Sequence, residues 1–125
     1  MGLLRNEKQL IRFEYDFAVD GGAVGAIALR PDVTQLREGM IVTDIIVHAE
    51  TALDGEATPT VTFGDGTTAD AFLTNQFGNL DAADDVVRAE DLAVLLGESP
   101  ELTMTVGAQA LTAGKLEIYV EVISK

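Results

Sequence analysis

Few side chains in this 125-residue sequence could perform acid–base or nucleophilic chemistry. His48 is the only histidine, there is no cysteine, and the two serines are Ser99 and Ser124. Neither serine lies in the G-x-S-x-G turn that presents a nucleophile in many hydrolases. His48 lies within an alternating apolar segment, where a lone histidine more often makes structural hydrogen bonds than acts as a base. The residues therefore predict no catalytic site and a protein that is not an enzyme.

One glycine-rich segment has the spacing of a dinucleotide-binding loop. The run Gly64-Asp65-Gly66-Thr67-Thr68-Ala69 matches G-x-G-x-x-A, and acidic residues follow about 20 positions later. Such a loop needs a helix N-terminus that faces the pyrophosphate. The following stretch is interrupted at Phe77-Gly78-Asn79, and Asp65 would add negative charge beside the phosphates. We therefore interpret the segment as a tight turn and predict no bound cofactor.

Acidic side chains are the remaining candidates, because carboxylates are calcium ligands. Asp65 and Asp70 could converge in one loop, and Asp81, Asp84 and Asp85 in another. Neither group fits the D-x-[DN]-x-[DN]-G pattern of a calcium loop. Turn formation, capping and solubility explain these residues, so we predict no metal site. A small acidic module that binds calcium or another ligand stays open as an alternative.

The charge balance limits the possible partners. The chain has 21 acidic and 8 basic side chains and a net charge of −13. A surface this negative is repelled by the phosphates of nucleic acids, and anionic membranes are disfavoured for the same reason. No apolar run approaches the roughly 20 residues of a membrane-spanning helix. The N-terminus also lacks the long apolar stretch of a secretory signal. We therefore predict neither a nucleic-acid nor a membrane partner.

The charges are unevenly distributed along the chain. Residues 1–12 carry a net charge of +2, whereas residues 44–101 contain thirteen acidic side chains and a single basic one. A basic segment attached to an acidic body favours an arm that docks on a negative surface, such as another subunit. A frayed terminus with solvated charges is the alternative. We predict an extended N-terminal arm over residues 1–12 and a single domain over residues 13–125.

Alternation of apolar and polar residues runs through most of the chain and predicts β-strands. The alternating segments are 8–19, 23–29, 40–50, 59–63, 102–106 and 115–124. The first two are expected to pair as a hairpin, and so are the last two. Both faces of segment 40–50 are fairly apolar, which predicts a central strand. Short strands separated by Gly and Asp turns indicate an all-β antiparallel fold, a β-sandwich of jelly-roll type.

Residues 82–96 depart from this alternation and favour a short helix. Asp81 could cap it, Asp84 and Asp85 would lie in its first turn, and Gly97 could end it. The alternative interpretation is that valine- and leucine-rich parts of the segment form short strands.

Two stretches of the C-terminal half resemble a pattern found in small structural proteins of tailed bacteriophages. The stretches are Val61–Leu73, and Glu101–Gly107 followed by Leu111–Ile123 with its Leu-Thr-Ala-Gly-Lys turn. The resemblance is to the small β proteins that decorate or cement the outside of the capsid. It implies a β-sandwich that binds the lattice of the major capsid protein, as a homotrimer or a dimer, and that has no catalytic site.

The residues and the resemblance together predict a virion structural protein, made in the host cytoplasm and located on the capsid surface. A cement protein stabilises a lattice by binding only its assembled form. The residues expected to contact the partner are Leu3, Leu4, Arg5, Lys8 and Arg12. Another virion component, at the head–tail junction, the tail or the base of a fibre, is the second possibility.

Overall fold

Nine β-strands form the fold within residues 8–123, the part of the chain that the computed structural model describes. The strands are β1 (Lys8–Asp16), β2 (Gly25–Ala28), β3 (Arg30–Pro31), β4 (Ile41–Gly55), β5 (Thr60–Gly64), β6 (Val86–Ala89), β7 (Val94–Leu95), β8 (Thr103–Gly107) and β9 (Leu111–Ile123). A one-turn helix, α1 (Phe17–Asp20), follows β1, and a 3₁₀ turn spans Phe77–Asn79. No helix within these residues has the length and hydropathy of a membrane span.

The strands form two antiparallel sheets. The six-stranded sheet has the order β3-β1-β9-β4-β6, and β7 also pairs with β4. The three-stranded sheet has the order β2-β8-β5. This arrangement confirms the prediction of a mainly β, antiparallel fold of sandwich or jelly-roll type.

The core contains the alternate residues that the sequence pattern assigns to one face of each strand. A strand turns successive side chains to opposite faces, so every second residue can be apolar and buried while its neighbours stay exposed to solvent. The main strands contribute the buried residues Ile11, Phe13, Tyr15, Ile45, Val47, Ala49, Val61, Phe63, Met104, Val106, Leu116, Ile118, Val120 and Val122. Each large apolar side chain buried in this way contributes about 1.5–3 kcal/mol.

Strand β4 is central, as its two apolar faces predicted. It pairs with β9 on one side and with β6 and β7 on the other. The sequence pattern places Val42 and Ile45 on opposite faces, yet both are fully buried. A register shift between Val42 and Asp44 explains this difference. Such a bulge inserts one residue and reverses the facing of the strand beyond it.

The helix predicted within residues 82–96 is wrong, and the alternative of two short strands holds. Strands β6 and β7 both pair with the edge of β4. Asp84 and Asp91 have positive φ angles of 67° and 60°, which an α-helix does not accommodate. The N–H of Asp84 donates to the carbonyl of Ala49, and the N–H of Ala49 donates to the carbonyl of Asp85. Pairing with β4 therefore satisfies backbone groups that the helix would have satisfied internally.

Both predicted hairpins are wrong, because in each case the chain passes from one sheet to the other. After β1 the chain turns through α1, which Asp16 caps by accepting a hydrogen bond from the N–H of Ala18. β2 then pairs with β8, and only the two-residue β3 returns to β1. Likewise, β8 belongs to the three-stranded sheet and β9 to the six-stranded sheet. Each of these strands has one apolar face, and opposing sheets bury those faces together.

The segment predicted as an N-terminal arm lies partly within the fold. Residues 8–12 begin β1 and pair with β9, with Lys8 opposite Ile123 and Arg12 opposite Tyr119. Residues 1–7 lie outside the described residues, so an arm that contacts a partner stays a prediction for them.

The direction in which the side chains of β4 point predicts different losses of stability for alanine substitutions at two adjacent residues. Ile45→Ala should lower the free energy of unfolding by about 3 kcal/mol, because it leaves a cavity in the core. Ile46→Ala should cost about 1 kcal/mol or less, because Ile46 lies on the half-buried outward face. Urea denaturation of both variants measures the difference. Equal costs would contradict the assigned facing.

Candidate functional site

The outward face of the six-stranded sheet brings together the histidine and several charged side chains. Register sets Glu117 of β9 opposite both Glu14 of β1 and His48 of β4, and sets Arg12 opposite Tyr119. Leu116 and Ile118, which flank Glu117, are buried, so Glu117 points away from the core. The alternation that builds the core thus also creates a row of polar side chains on the other face.

Three of these side chains, Arg12, Glu117 and His48, form a continuous hydrogen-bonded group with Asp84 of the loop before β6, which we call the Glu117 network. Arg12 Nη2 donates to Glu117 Oε2 at 2.6 Å. The other oxygen, Oε1, lies 2.9 Å from His48 Nδ1, and His48 Nε2 lies 3.0 Å from Asp84 Oδ1. The network therefore connects β1, β9 and β4 with the loop that carries Asp84.

Charge pairing shifts the ionisation of the network. Hydrogen bonds from Arg12 and His48 lower the pKa of Glu117 to about 2. The carboxylates of Glu117 and Asp84 raise the pKa of His48 above its ordinary value. The hydrogen bond to Glu117 likewise raises the pKa of Arg12. All three pKa shifts favour the ionised forms that attract one another.

The geometry of the network suits a clamp better than a catalytic base. Both ring nitrogens of His48 face carboxylate oxygens, which only accept hydrogen bonds, so the imidazolium form that donates from both is favoured. A general base needs an unprotonated nitrogen within reach of the proton that it removes. What the arrangement does is hold β4, β9 and the loop at Asp84 together on the outer face.

The predicted partner-binding residues fall into two groups. Leu3, Leu4 and Arg5 lie outside the described residues. Lys8 is exposed and lies 3.7 Å from Glu121, while Arg12 is half-buried in the Glu117 network. Both basic side chains therefore pair with carboxylates of their own chain, and their contact with a partner stays a prediction.

The segment with dinucleotide-loop spacing forms a tight turn. Asp65 Oδ1 accepts hydrogen bonds from the N–H groups of Thr67, at 3.0 Å, and Thr68, at 2.8 Å. Gly66 has a φ of 92°, and a side chain on Gly64 would collide with the Thr68 carbonyl oxygen. The chain then returns to β5, with Leu73 bridged to Phe63, instead of starting a helix. The aspartate thus organises the turn, and the two glycines permit it.

Two of the other acidic candidates, Asp84 and Asp85, have local structural roles. Asp85 Oδ2 accepts a hydrogen bond from the N–H of Ala82 at 3.1 Å. Asp84 belongs to the Glu117 network. Across residues 8–123, no group of three or more histidine or carboxylate side chains is placed to hold a metal ion.

A shallow depression of about 410 Å³ lies on the six-stranded sheet, at the end where β1 begins. Its lining includes Lys8 and Arg88, together with four acidic side chains. Arg88 is held by Asp44, with Nη2 at 2.6 Å from Oδ2, and Lys8 lies near Glu121. Because its cations are paired within the chain, the depression offers little to an anionic ligand.

Sequence reasoning identified His48 as a structural hydrogen-bonding residue but did not find its partners. Asp84 and Glu117 are 36 and 69 positions away along the chain. The available signal was strand alternation, which put Glu117 on the polar face of its strand. Nothing in the sequence indicated that this strand would lie beside β4.

The described residues define a two-sheet antiparallel β protein with a charged, clamped outer face. The same fold occurs in a chain of the capsid asymmetric unit of cyanophage Pam1, with a TM-score of 0.70 and 18% identity. That match covers 94% of this chain and 85% of the other. A chain of the acid-stable capsid of Helicobacter pylori bacteriophage KHP30 matches with a TM-score of 0.64 and 18% identity, covering 93% and 86%. No protein-family model and no curated protein match the sequence.

The turn at Gly64 predicts a sharp difference between two glycine substitutions. Gly64→Ala should lower the free energy of unfolding by about 3 kcal/mol, because its Cβ meets backbone atoms that cannot move away easily. Gly78→Ala should change it by about 0.5 kcal/mol or less, since a Cβ there meets open space. Thermal and urea unfolding of both proteins test this. Similar stabilities would show that the turn tolerates a side chain.

The Glu117 network predicts a stability maximum in mildly acidic solution. Glu117 is stabilising above its unfolded pKa of about 4.5, and this contribution disappears as the pH falls towards 2. The contribution of His48 is complete below its unfolded pKa of 6.5 and disappears as the pH rises through its raised folded pKa. Both contributions are therefore present together between about pH 4.5 and 6.5.

His48→Asn should lower stability by about 1 kcal/mol at pH 5.5, and the difference should shrink as the pH rises. Denaturation midpoints measured from pH 4 to 9 give the two curves. Val86→Asn is a suitable control, because Val86 is the exposed neighbour of His48 on β6 and lies outside the network. A loss of stability in His48→Asn that did not depend on pH would contradict the role of the charged His48 in the Glu117 network.

Proposed function

We propose that this protein is a virion structural component that binds the outer surface of a tailed-phage capsid and stabilises the shell. The observation that carries the proposal is the fold match to chains from two phage capsids, which spans 94% and 93% of this chain. The resemblance of residues 61–73, 101–107 and 111–123 to capsid decoration proteins also supports it.

The chemistry of the described surface supports adhesion. The one histidine is held between two carboxylates, and the cations of the depression at the start of β1 are paired within the chain. Buried side-chain nitrogen and oxygen atoms within residues 8–123 all have hydrogen-bond partners, so no buried polar group in this region is left free to bind a substrate. These features fit a protein that acts through its surface and not through bond-making chemistry.

Stabilisation would follow from mass action. A protein that binds the assembled lattice of the major capsid protein, but not free subunits, stabilises the lattice by an amount set by its concentration relative to its dissociation constant. A homotrimer or a dimer would contact several lattice subunits at once, and binding at several points strengthens attachment.

The N-terminal residues are the proposed attachment segment. Leu3 and Leu4 would provide apolar contact, and Arg5, with Lys8 and Arg12 at the start of β1, would provide positive charge. The Lys8 side chain is 65% exposed, so its ion pair with Glu121 could be replaced by one with a carboxylate of the partner. Arg12 is better held, so its contribution would be to position β1.

Deleting residues 1–7 tests the proposal, because every described strand is retained. The truncated protein should unfold as the full chain does and should lose at least about 90% of its co-sedimentation with phage particles that lack the native protein. Occupancy is measured on gels of the sedimented particles. The double substitution Leu3→Ser and Leu4→Ser is the matched variant, and Val33→Ser, at an exposed site in the body of the domain, is the control.

Unchanged occupancy of the truncated protein would contradict the attachment role of the segment. Failure of the full chain to bind particles, or its localisation by electron microscopy at the neck or tail and not on the shell, would contradict the proposed function itself.

A further inference from the structure

The outward face of the three-stranded sheet carries no charge, in contrast to the face that holds the Glu117 network. The buried neighbours along each strand show which side chains point outward. Register aligns these outward positions in rows across β2, β8 and β5. They are Ala26, Ala28, Thr60, Thr62 and Thr105, together with Thr103, which is buried and whose Oγ1 accepts a hydrogen bond from the N–H of Gly66. In a chain of net charge −13, an uncharged sheet face is a marked exception.

The same sheet has an unprotected edge at β2. Proteins guard edge strands with charges, prolines, short length or a covering segment. The segment from Gly21 to Leu29 contains no charged residue and no proline. Residues 25, 26 and 28 are exposed, and Val24, just before the strand, is 57% exposed.

The other strand edges within residues 8–123 are each guarded or covered. β1 carries Lys8 and Arg12, and its short neighbour β3 ends in Pro31. β6 contains Arg88, and β7 is only two residues long. The outer edge of β5 is covered, because Leu73, Asn75 and Gln76 bond to it.

The backbone groups of Ala26 and Ala28 point towards this open edge. The N–H of Leu29 donates to the carbonyl of Leu102 at 2.9 Å, in register with the pairing of β2 and β8. Antiparallel strands alternate, so residues 25, 27 and 29 bond to β8 while residues 26 and 28 face away. Within residues 8–123, neither Ala26 nor Ala28 has a backbone or side-chain hydrogen bond on that side.

We propose that β2 pairs with β2 of a second copy of this chain, antiparallel across a two-fold axis at Ile27. Ala26 of each copy then exchanges N–H···O bonds with Ala28 of the other, which gives four intermolecular bonds. The two three-stranded sheets become one six-stranded sheet. Ile27, which is half-buried on the inward face, lies beside its own counterpart, where the Cα atoms of a non-hydrogen-bonded pair are about 4.5 Å apart.

A second copy is favoured as the occupant for reasons of symmetry and charge. A two-fold interface uses the same patch on both subunits, and one antiparallel strand fulfils this requirement without any other partner. Two chains of net charge −13 repel each other. Contact through the uncharged sheet keeps the acidic side chains of the two copies farther apart than contact through a charged face would. This proposal does not depend on the proposed function.

Hydrogen exchange of the intact protein tests the pairing directly. Sedimentation velocity should show a monomer–dimer equilibrium, and the Ala26 and Ala28 amides should be protected at high protein concentration. Their exchange should accelerate about tenfold or more when dilution dissociates the dimer. The Ile27 and Leu29 amides, which bond within the chain, should change far less.

A matched pair of variants isolates the edge bonds. Ala26→Pro removes a donor that bonds only to the second copy, and should raise the dimer dissociation constant about tenfold or more. Ala26→Thr keeps the donor, suits a strand and should dimerise like the parent protein. Circular dichroism establishes that both variants are folded.

A monomer at all accessible concentrations, a trimer, or a dimer whose Ala26 and Ala28 amides exchange freely would each overturn the proposal. The exchange measurement on the unaltered chain decides the matter even if Ala26→Pro does not fold.

Discussion

The antiparallel pairing of β4 with β9 is the interaction on which the rest of the structure depends. These two strands are the longest of the fold and lie beside each other in the middle of the six-stranded sheet. Their inward side chains are buried along most of their length. Because side chains alternate, fixing the inward face also fixes the outward one. The contact between His48 and Glu117 therefore follows from the same register that places Val47 beside Ile118.

Alternation was enough to predict most strands and most of the core, because it reports directly on which residues of a strand can be buried. It identified β1, β4, β5, β8 and β9, and it put Glu117 on the polar face of its strand. It could not assign neighbours. Two strands with one apolar face each can pair side by side or face each other across a core, and the pattern is the same in both cases. This ambiguity is why the expected hairpins turned out to join different sheets.

The error at residues 82–96 has a different physical origin. The aspartates at its start and the glycine at its end are signals that helix ends and irregular loops share, since both use side-chain caps for N–H groups and a residue of positive φ to turn the chain. The decisive factor was the unsatisfied edge of β4, which accepts β6 and β7 and is invisible in the local sequence. The Glu117 network escaped prediction for the same reason. Asp84 reaches His48 only because the segment that follows it, β6, pairs with β4 as a strand and does not form a helix.

The two outer faces of the protein differ in charge, and this difference sets what each can do. On the six-stranded sheet, basic side chains are matched with carboxylates, so a partner that contacts this face must first break ion pairs. On the three-stranded sheet there are no ion pairs to break, only methyl and hydroxyl groups and an open strand edge. Removing charged side chains from water weakens association, whereas pairing of backbone groups at a strand edge requires little desolvation of charge. Self-association is therefore expected on the uncharged sheet. On the charged sheet, the ion pair between Arg12 and Glu117 links β1 to β9, and β1 continues from the N-terminal segment that is proposed to bind the capsid.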